Sequence, residues 1–351
     1  ILRPSDMNPG FISASDEIVT DEGPSGLQTC LKRLVTSKFS KFLASRTATN
    51  ASANDRLRIG VVDLTGAKLA KPEFAGWGSS VAMYGGSAPK VLAVYAAFQL
   101  RRDLREMAEE QAIPTGTELL AFANATWKGK KPVRGFPDLK FLFDIIHWTS
   151  GQPNDINFAA AAQAALNGVS DNSSASLIIS GVGFPYIASV AWQSGLRHPT
   201  RGGLWLSQSF DGSKWPDSPS MKAPAFVHNV TALSVATFFT LLAQGRLVDD
   251  FSSAEIATVL RTGGCRSCLF PTEITLDAAK CGILKPHMHD CVLARHLGGR
   301  YAAGILTAID ATWPGDERCP TGGEVADYTS MWKELDKLVI ANNGATKPAC
   351  A

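Results

Sequence analysis

The spacing of hydrophobic positions in the first part of the chain changes from helical to strand-like. Between residues 27 and 43 apolar side chains recur every three or four positions, which predicts an amphipathic helix with a basic outer face. Residues 56–64 alternate well enough to predict a strand, and a second strand is expected near residues 80–84. A helix is expected to open at Ser87, with Pro89 in its first turn, where the missing backbone N–H costs nothing.

The middle of the chain has mostly helical spacing, and strands return only near the end. Residues 113–274 contain helical patches separated by loops rich in Gly and Pro; the patches are residues 158–166, 174–179, 186–194, 232–243 and 253–261. Strands are predicted at residues 279–284, 290–297 and 301–308, with Gly298-Gly299 as a hairpin signal between the last two. A final helix is predicted over residues 325–340.

This order of elements predicts an α+β fold in which an antiparallel sheet is flanked by helices and a mostly helical subdomain is inserted. Residues 1–25, rich in Pro, Ser, Gly and acids, are expected to form an extended arm. Residues 26–85 and 275–351 are expected to form the sheet-and-helix subdomain, and residues 86–274 the helical one.

Composition narrows the classes of partner. The chain has 351 residues and a formal net charge of +2, a balance that argues against nucleic-acid and membrane-surface partners. No apolar run approaches the roughly 18 residues that would suggest a membrane span. The six His show no metal-ligand spacing, so neither a metal nor another cofactor is expected. The oligomeric state stays open.

The seven cysteines leave at least one thiol unpaired. Cys265 and Cys268 form a C-x-x-C, but no second C-x-x-C or His pair accompanies it, which argues against a zinc site. A local disulfide and two ordinary thiols remain the alternatives for this pair.

Three short motifs carry groups suited to acyl transfer. The first is Ser87-Ala88-Pro89-Lys90, in which Lys90 follows one helical turn after Ser87. Residues three apart share a helix face, so the amine can approach the hydroxyl and take its proton. An ordinary helix start would explain this motif if it stood alone.

The second motif is Ser170-Asp171-Asn172, between two helical patches. A hydroxyl at Ser170 can relay a proton to a leaving nitrogen, and the amide of Asn172 can hold a substrate carbonyl. A polar helix cap would explain it equally well in isolation.

The third motif is Lys280-Cys281-Gly282, on a predicted strand. Gly282 would let a substrate backbone lie close to the strand, and Lys280 would hold a substrate carboxylate. The three motifs occur in the order and in the kinds of element that one active site requires, so together they favour a shared function.

In these motifs the chain resembles the serine β-lactamase and penicillin-binding-protein superfamily, and most closely its class A β-lactamase-like branch. The likeness covers roughly residues 25–345 and includes Asn229-Val230-Thr231, which leads into a helix that ends at Gly245-Arg246-Leu247. It implies a β-lactamase/transpeptidase-like fold with the active site between the two subdomains, and a periplasmic or secreted location.

The resemblance also implies a role for each motif residue. Ser87 would be the acylated nucleophile, Lys90 its base partner, Ser170 the proton relay and Asn172 a ligand of the substrate carbonyl. Lys280, Cys281 and Gly282 would belong to the substrate-binding edge strand. The oxyanion hole would be formed by the backbone N–H of Ser87 and by that of Ile283 or Leu284.

Two departures from the family pattern bear on function. Class A enzymes carry an E-x-x-L-N stretch whose Glu activates the deacylating water, whereas residues 200–210 contain no Glu and the nearest acids are Asp211 and Asp217. Cys281 stands where Thr or Ser is usual, and a thiol is a poor hydrogen-bond donor. The segment over residues 128–157 is a further expected insertion, which would either form a lid or reshape the cleft.

Two functions follow as hypotheses. The first is a serine hydrolase that forms an acyl-enzyme with an amide, ester or β-lactam carbonyl of a small-molecule or peptide-like substrate. The second is a penicillin- or peptide-binding module of the same fold that turns over slowly or not at all.

Overall fold

The computed structural model describes residues 26–43, 56–128, 147–148, 156–157, 172–198, 202–213, 226–262, 265–314 and 319–344. Its α-helices there are α1 (Gly26–Lys38), α2 (Lys90–Glu110), α3 (Gly116–Lys128), α4 (Asn172–Val182), α5 (Phe184–Gln193), α6 (Ala232–Ala243), α7 (Asp250–Thr262) and α8 (Val325–Gly344). Its strands there are β1 (Leu57–Asp63), β2 (Glu73–Trp77), β3 (Met83–Tyr84), β4 (His147–Trp148), β5 (Ile156–Asn157), β6 (Arg197–His198), β7 (Gly202–Gly203), β8 (Trp205–Leu206), β9 (His228–Val230), β10 (Thr275–Leu284), β11 (His287–His296) and β12 (Gly299–Ala308).

Five strands form the main sheet in the order β10-β11-β12-β1-β2, and every neighbouring pair is antiparallel. Helices cover both of its faces, so the predicted α+β class with an antiparallel sheet flanked by helices is confirmed. Strand β10, which carries Lys280, Cys281 and Gly282, lies at one edge and pairs only with β11 within the sheet.

The side chains on the two faces of the sheet pack into two separate hydrophobic cores, because successive strand residues point to opposite sides. Val61 packs with α1 and α8, whereas its neighbour Val62 packs with α2 and α6. Ala302 and Ala303 on β12 divide in the same way. All seven residues of β1 are buried, as expected for a central strand that is covered on both faces.

The strand predicted near residues 80–84 is confirmed at Met83–Tyr84, which joins β9 and β8 in a separate three-stranded sheet. The strand beside β1 is Glu73–Trp77, which was not predicted. Strand β2 lies at the other edge of the main sheet and is only partly buried, so it lacks the alternating apolar pattern by which strands are recognised.

Most predicted helices and the hairpin are confirmed, several with shifted ends. The helix predicted over residues 27–43 comprises α1 and a 3₁₀ turn at Ser40–Phe42. Leu297 and Gly298 both have positive φ in the turn between β11 and β12, as a tight hairpin requires. The arm over residues 1–25, the patch at 158–166 and most of the insertion at 128–157 lie outside the described residues.

None of the helices in the described ranges is by itself long and apolar enough to cross a membrane. Helices α4 and α5, which are bent by 85° relative to each other, are long and apolar enough for this only when they are counted together.

Glycines on the sheet let α6 sit directly against it. A Cβ at Gly60 would lie 2.6 Å from the carbonyl oxygen of Ala232, the first residue of α6. Gly304, which pairs with Gly60, would place its Cβ 3.1 Å from Val235. Strand β9 leads directly into α6, so the contact of α6 with the sheet also holds β9 in place. Strand β3, which ends three residues before Ser87, pairs with β9.

We predict that Gly60→Ala lowers the free energy of unfolding by about 1–3 kcal/mol, because the added methyl group overlaps the Ala232 backbone. Urea titration measures the effect. Gly299→Ala is the matched control, since its nearest atom would be 3.3 Å away, and it should change stability far less. Equal effects of the two substitutions would show that the contact with α6 is not tight.

Candidate active site

Ser87 lies in the turn between β3 and α2, and it is partly exposed. The helix begins at Lys90 rather than at Ser87, which corrects the predicted start. The reason is local: Val91 and Leu92 donate to carbonyls three residues back, so residues 87–89 form tight turns instead of an α-helical turn. The N–H of Lys90 donates to the Ser87 carbonyl at 3.2 Å, so one turn still joins the two residues.

The Ser87 turn packs backbone to backbone against β10. Gly86 has a φ of +52°, and a Cβ there would lie 3.2 Å from the backbone N of Ile283. A Cβ on Gly282 would lie 2.2 Å from the Gly85 carbonyl oxygen and 3.1 Å from the Ala88 N. Only glycine fits at both contact points, and the first and third motifs are therefore neighbours in space.

A buried histidine ties the same turn to the interior of the sheet. His289 on β11 pairs in register with Gly282, and its Nε2 lies 2.8 Å from the Tyr84 carbonyl oxygen. The Thr307 N–H donates to its Nδ1 at 3.2 Å, so Nε2 must carry the proton and donate to Tyr84. Burial lowers the pKa of His289 to about 4, which keeps this neutral tautomer at physiological pH. Nothing in the sequence singled out His289, because its position opposite Gly282 is visible only in the structure.

Lys90 connects the first motif with the second. It is fully buried, and its Nζ donates to the Asn172 Oδ1 at 2.9 Å. The same Nζ lies 4.7 Å from the centroid of the Phe210 ring. Asn172 is exposed and is the first residue of α4, while Ser170 and Asp171 lie outside the described residues.

Lys280 is also fully buried, on the face of β10 that it shares with Gly282. Its Nζ donates to the Cys281 carbonyl oxygen at 2.9 Å and lies 3.1 Å from Cys265 Sγ. Two of the three motifs therefore each bring a buried amine to the region of Ser87.

The expectation of a free thiol at Cys281 was wrong. Cys281 forms a disulfide with Cys265, and Cys268 forms one with Cys319, so the two cysteines of the C-x-x-C do not pair with each other. Among the described residues Cys291 is the free cysteine, and it is buried. The sequence spacing offered no signal for these pairings, because β10 reaches Cys265 only through the fold.

The open edge of β10 presents backbone groups toward Ser87. The Cys281 N–H and C=O both point outward from the edge, toward Cys265 Sγ and Lys280 Nζ. Backbone direction repeats every second residue along a strand, so the Ile283 N–H points out from the same edge. Since Ile283 N is also the atom nearest to Gly86, Ile283 rather than Leu284 is the second candidate donor of an oxyanion hole.

A group of aromatic and imidazole rings begins at Phe210, beside Lys90. Phe210 stacks on His228 with ring centroids 4.1 Å apart, and His228 Nε2 lies 3.1 Å from the Gln208 carbonyl oxygen. Burial lowers the pKa of His228, and the nearby Lys90 amine adds to that effect. Tyr84 packs at the edge of this group against Phe226 and His287. These contacts carry no periodic signal in the sequence, since the strands within residues 202–213 and 226–230 are only two or three residues long.

Asp211, the nearest described acid after the loop over residues 200–210, is poorly suited to act as a base. Its carboxylate accepts from the hydroxyls of Ser209 and Ser213 and from the Ser213 N–H. These hydrogen bonds, the Ser209 bond first, hold its pKa well below the ordinary range. Asp217 lies outside the described residues. In the part of the chain that is described, no group of three or more His, Cys, Asp or Glu is placed to hold a metal ion.

The chain is similar to several solved structures. The chain is similar to a β-lactamase from Sphaerobacter thermophilus, with 14% identity and a TM-score of 0.49 over 93% of this chain and 100% of that one. It is similar to PBP-A, with 16% identity and a TM-score of 0.47 over 89% and 96% of the two chains. A class A β-lactamase from Mycobacterium abscessus matches at 14% identity with a TM-score of 0.49 over 90% of this chain and 100% of that one.

No protein-family profile and no curated protein sequence matches the chain. At identities this low, the similarities to solved structures assign no activity. The functional argument therefore rests on the residues of this chain.

The neutral state of His289 should make stability depend on pH. An unfolded His has a pKa of about 6.5, so the unfolded chain binds a proton that the folded chain rejects until about pH 4. This contribution is complete above about pH 6.5 and is lost as the pH falls toward about 4. Between about pH 7 and about pH 4.5, we expect the unfolding free energy to fall by about 2–3 kcal/mol more in the wild type than in His289→Gln.

Urea titrations of both proteins at the two pH values measure this difference. Parallel loss of stability in the two proteins would show that His289 is protonated in the fold and does not hold the Ser87 turn as a neutral donor.

Proposed function

We propose that this protein is a serine hydrolase that forms an acyl-enzyme on Ser87 with an amide, ester or β-lactam carbonyl. The observation that carries the proposal is the backbone contact between the Ser87 turn and β10. The turn that carries Ser87 lies against the backbone N of Ile283, and the Lys90 N–H donates to the Ser87 carbonyl, which supports a shared role for these three residues. Together they would supply a nucleophile, two oxyanion donors and a base.

The first half-reaction uses groups from the first two motifs and the backbone N–H that follows the third. Ser87 Oγ attacks the carbonyl carbon while its proton passes to the Lys90 amine, and the resulting oxyanion accepts from the N–H groups of Ser87 and Ile283. The tetrahedral intermediate then collapses and breaks the bond to the leaving nitrogen or oxygen. Lys90 returns the proton to the leaving group, with Ser170 as the proposed relay.

The open edge of β10 suits an extended, small-molecule or peptide-like substrate. Outward N–H and C=O groups of an edge strand can pair with a substrate amide. Asn172 accepts from Lys90 through its Oδ1, and its Nδ2 is the donor that we assign to the substrate carbonyl.

The second half-reaction lacks a described carboxylate of the right kind, which favours a second candidate function. Asp211 is held as an anion by three hydrogen bonds and is a weak base. A protein that acylates quickly and releases the acyl group slowly would act as a penicillin- or peptide-binding module.

We also propose that the protein works outside the cytoplasm. Cys30, Cys265, Cys268, Cys281 and Cys319 are all disulfide-bonded. Disulfides form and persist mainly in oxidising compartments, which supports a periplasmic or secreted location.

Incubation with benzylpenicillin or with a reactive phenyl ester should add the acyl mass to the protein, and peptide mapping should place it on Ser87. Ser87→Ala should abolish the adduct, whereas Ser37→Ala on the exposed face of α1 should leave it unchanged. An adduct on another residue, or none with any acyl donor, would refute the proposed nucleophile.

The lifetime of the adduct separates the two candidate functions. A hydrolase should lose the acyl mass within the time of a few turnovers, whereas a binding module should keep it for hours. Mass spectra recorded after removal of excess acyl donor distinguish these outcomes.

Replacing Lys90 tests whether it is the base. Lys90→Arg keeps a cation at the site but cannot accept a proton, and Lys90→Met keeps the volume without the charge. If Lys90 takes the proton from Ser87, both variants should acylate about 100-fold or more slowly than the wild type. Retained acylation in Lys90→Arg would show that only the charge of Lys90 is needed, and the melting temperatures would show that both variants are folded.

A further inference from the structure

A disulfide sulfur lies at the open edge of β10, beside one of the two buried amines. Cys265 Sγ is 3.2 Å from the Cys281 backbone N and 3.1 Å from Lys280 Nζ. The edge N–H of Cys281 and the ammonium of Lys280 are the two groups on this strand best suited to bind an anionic oxygen. Both are in contact with sulfur, which is a weak acceptor and carries no charge in a disulfide.

The segment that carries Cys265 is anchored from the opposite face of the sheet. The N–H and hydroxyl of Ser267 donate to the carboxylate of the buried Asp290, at 2.6 and 2.5 Å. The hydroxyl of Tyr328 on α8 donates to the same carboxylate at 2.8 Å. Cys268 is tied separately to Cys319. The sulfur of Cys265 is therefore held at the edge by several independent connections.

The Cys265–Cys281 disulfide is not needed to anchor the segment that carries Cys265. The Ser267–Asp290 bonds and the Cys268–Cys319 disulfide already fix the segment. The Cys265–Cys281 bond places a sulfur atom in contact with both the Cys281 N–H and Lys280 Nζ, and it removes from residue 281 the hydrogen that a hydroxyl or thiol would donate.

We propose that the Cys265–Cys281 disulfide determines substrate specificity at the Ser87 site by excluding a carboxylate from Lys280. Substrates with an uncharged group at this place on the leaving side are then favoured over those with a carboxylate. The inference rests on the proposed acyl transfer at Ser87, and it reverses the expectation that Lys280 holds a substrate carboxylate.

A matched pair of esters tests this inference. The phenylacetyl esters of 3-hydroxybenzoate and 3-hydroxybenzamide differ only in a carboxylate or a carboxamide on the leaving group. Acylation of Ser87 by each is measured by release of the phenol in the wild type and in the double variant Cys265→Ala/Cys281→Thr. The control is Cys268→Ala/Cys319→Ala, which removes the other disulfide of the same segment.

In the wild type the carboxamide ester should react faster than the carboxylate ester. In Cys265→Ala/Cys281→Thr the ratio of the carboxylate to the carboxamide rate should rise by about tenfold or more, because Lys280 and a hydroxyl become available to the anion. In the control the ratio should stay at the wild-type value. The inference would be overturned if the wild type preferred the carboxylate ester, or if the ratio of the two rates were equal in all three proteins. The first result is obtained with the wild type alone and does not depend on whether the variants fold.

Binding of the free leaving groups separates this inference from the proposed function. NMR titration with 3-hydroxybenzoate and 3-hydroxybenzamide requires no acylation. If Ser87 is not acylated but the variant gains affinity for the benzoate alone, the proposed function fails and the specificity inference stands. If Ser87 is acylated but neither rate nor affinity responds to the disulfide, the inference fails and the proposed function stands.

Discussion

The backbone contact between the Ser87 turn and strand β10 is the constraint on which the rest of the site depends. Gly282 admits the Gly85 carbonyl to a distance that no side chain would allow, and Gly86 takes a left-handed conformation beside Ile283. The contact is supported from three sides: by the neutral His289 at the Tyr84 carbonyl, by the pairing of β3 with β9, and by α6 seated on Gly60. Each support lies on a regular element, so Ser87 is positioned by the packed fold although it lies in a turn itself.

The same architecture provides groups unequally for the two halves of the proposed acyl transfer. The groups proposed for acylation sit on or beside buried elements, with Lys90 and Lys280 both fully buried. Asp211, the first described acid after the loop over residues 200–210, is exposed and already stabilised as an anion by Ser209 and Ser213. On the leaving side, the sulfur of Cys265 lies where an anion-binding group would be useful. The described residues therefore include good candidates for the proposed nucleophile and its base, but Asp211 is a poor candidate for activating water.

Much of this arrangement could be predicted from the sequence. The order of the motifs, the three long strands at the end and helix α6 follow from local spacing, because long buried elements repeat their apolar positions. The start of α2 at Lys90 and the strand at Glu73–Trp77 could not be predicted in this way, because tight turns and half-exposed edge strands show little hydrophobic periodicity. The disulfide at Cys281 and the roles of His289 and Phe210 depend on contacts between segments far apart in the chain, which no local pattern contains.

The most direct test of the central claim is a crystal structure of the protein after it reacts with benzylpenicillin. The account predicts a bond from Ser87 Oγ to the penicilloyl carbon, with the former lactam carbonyl oxygen within hydrogen-bond distance of the backbone N of both Ser87 and Ile283. A carbonyl oxygen directed away from Ile283, or an acyl group on any other side chain, would contradict the assignment of the β10 edge as part of the catalytic site.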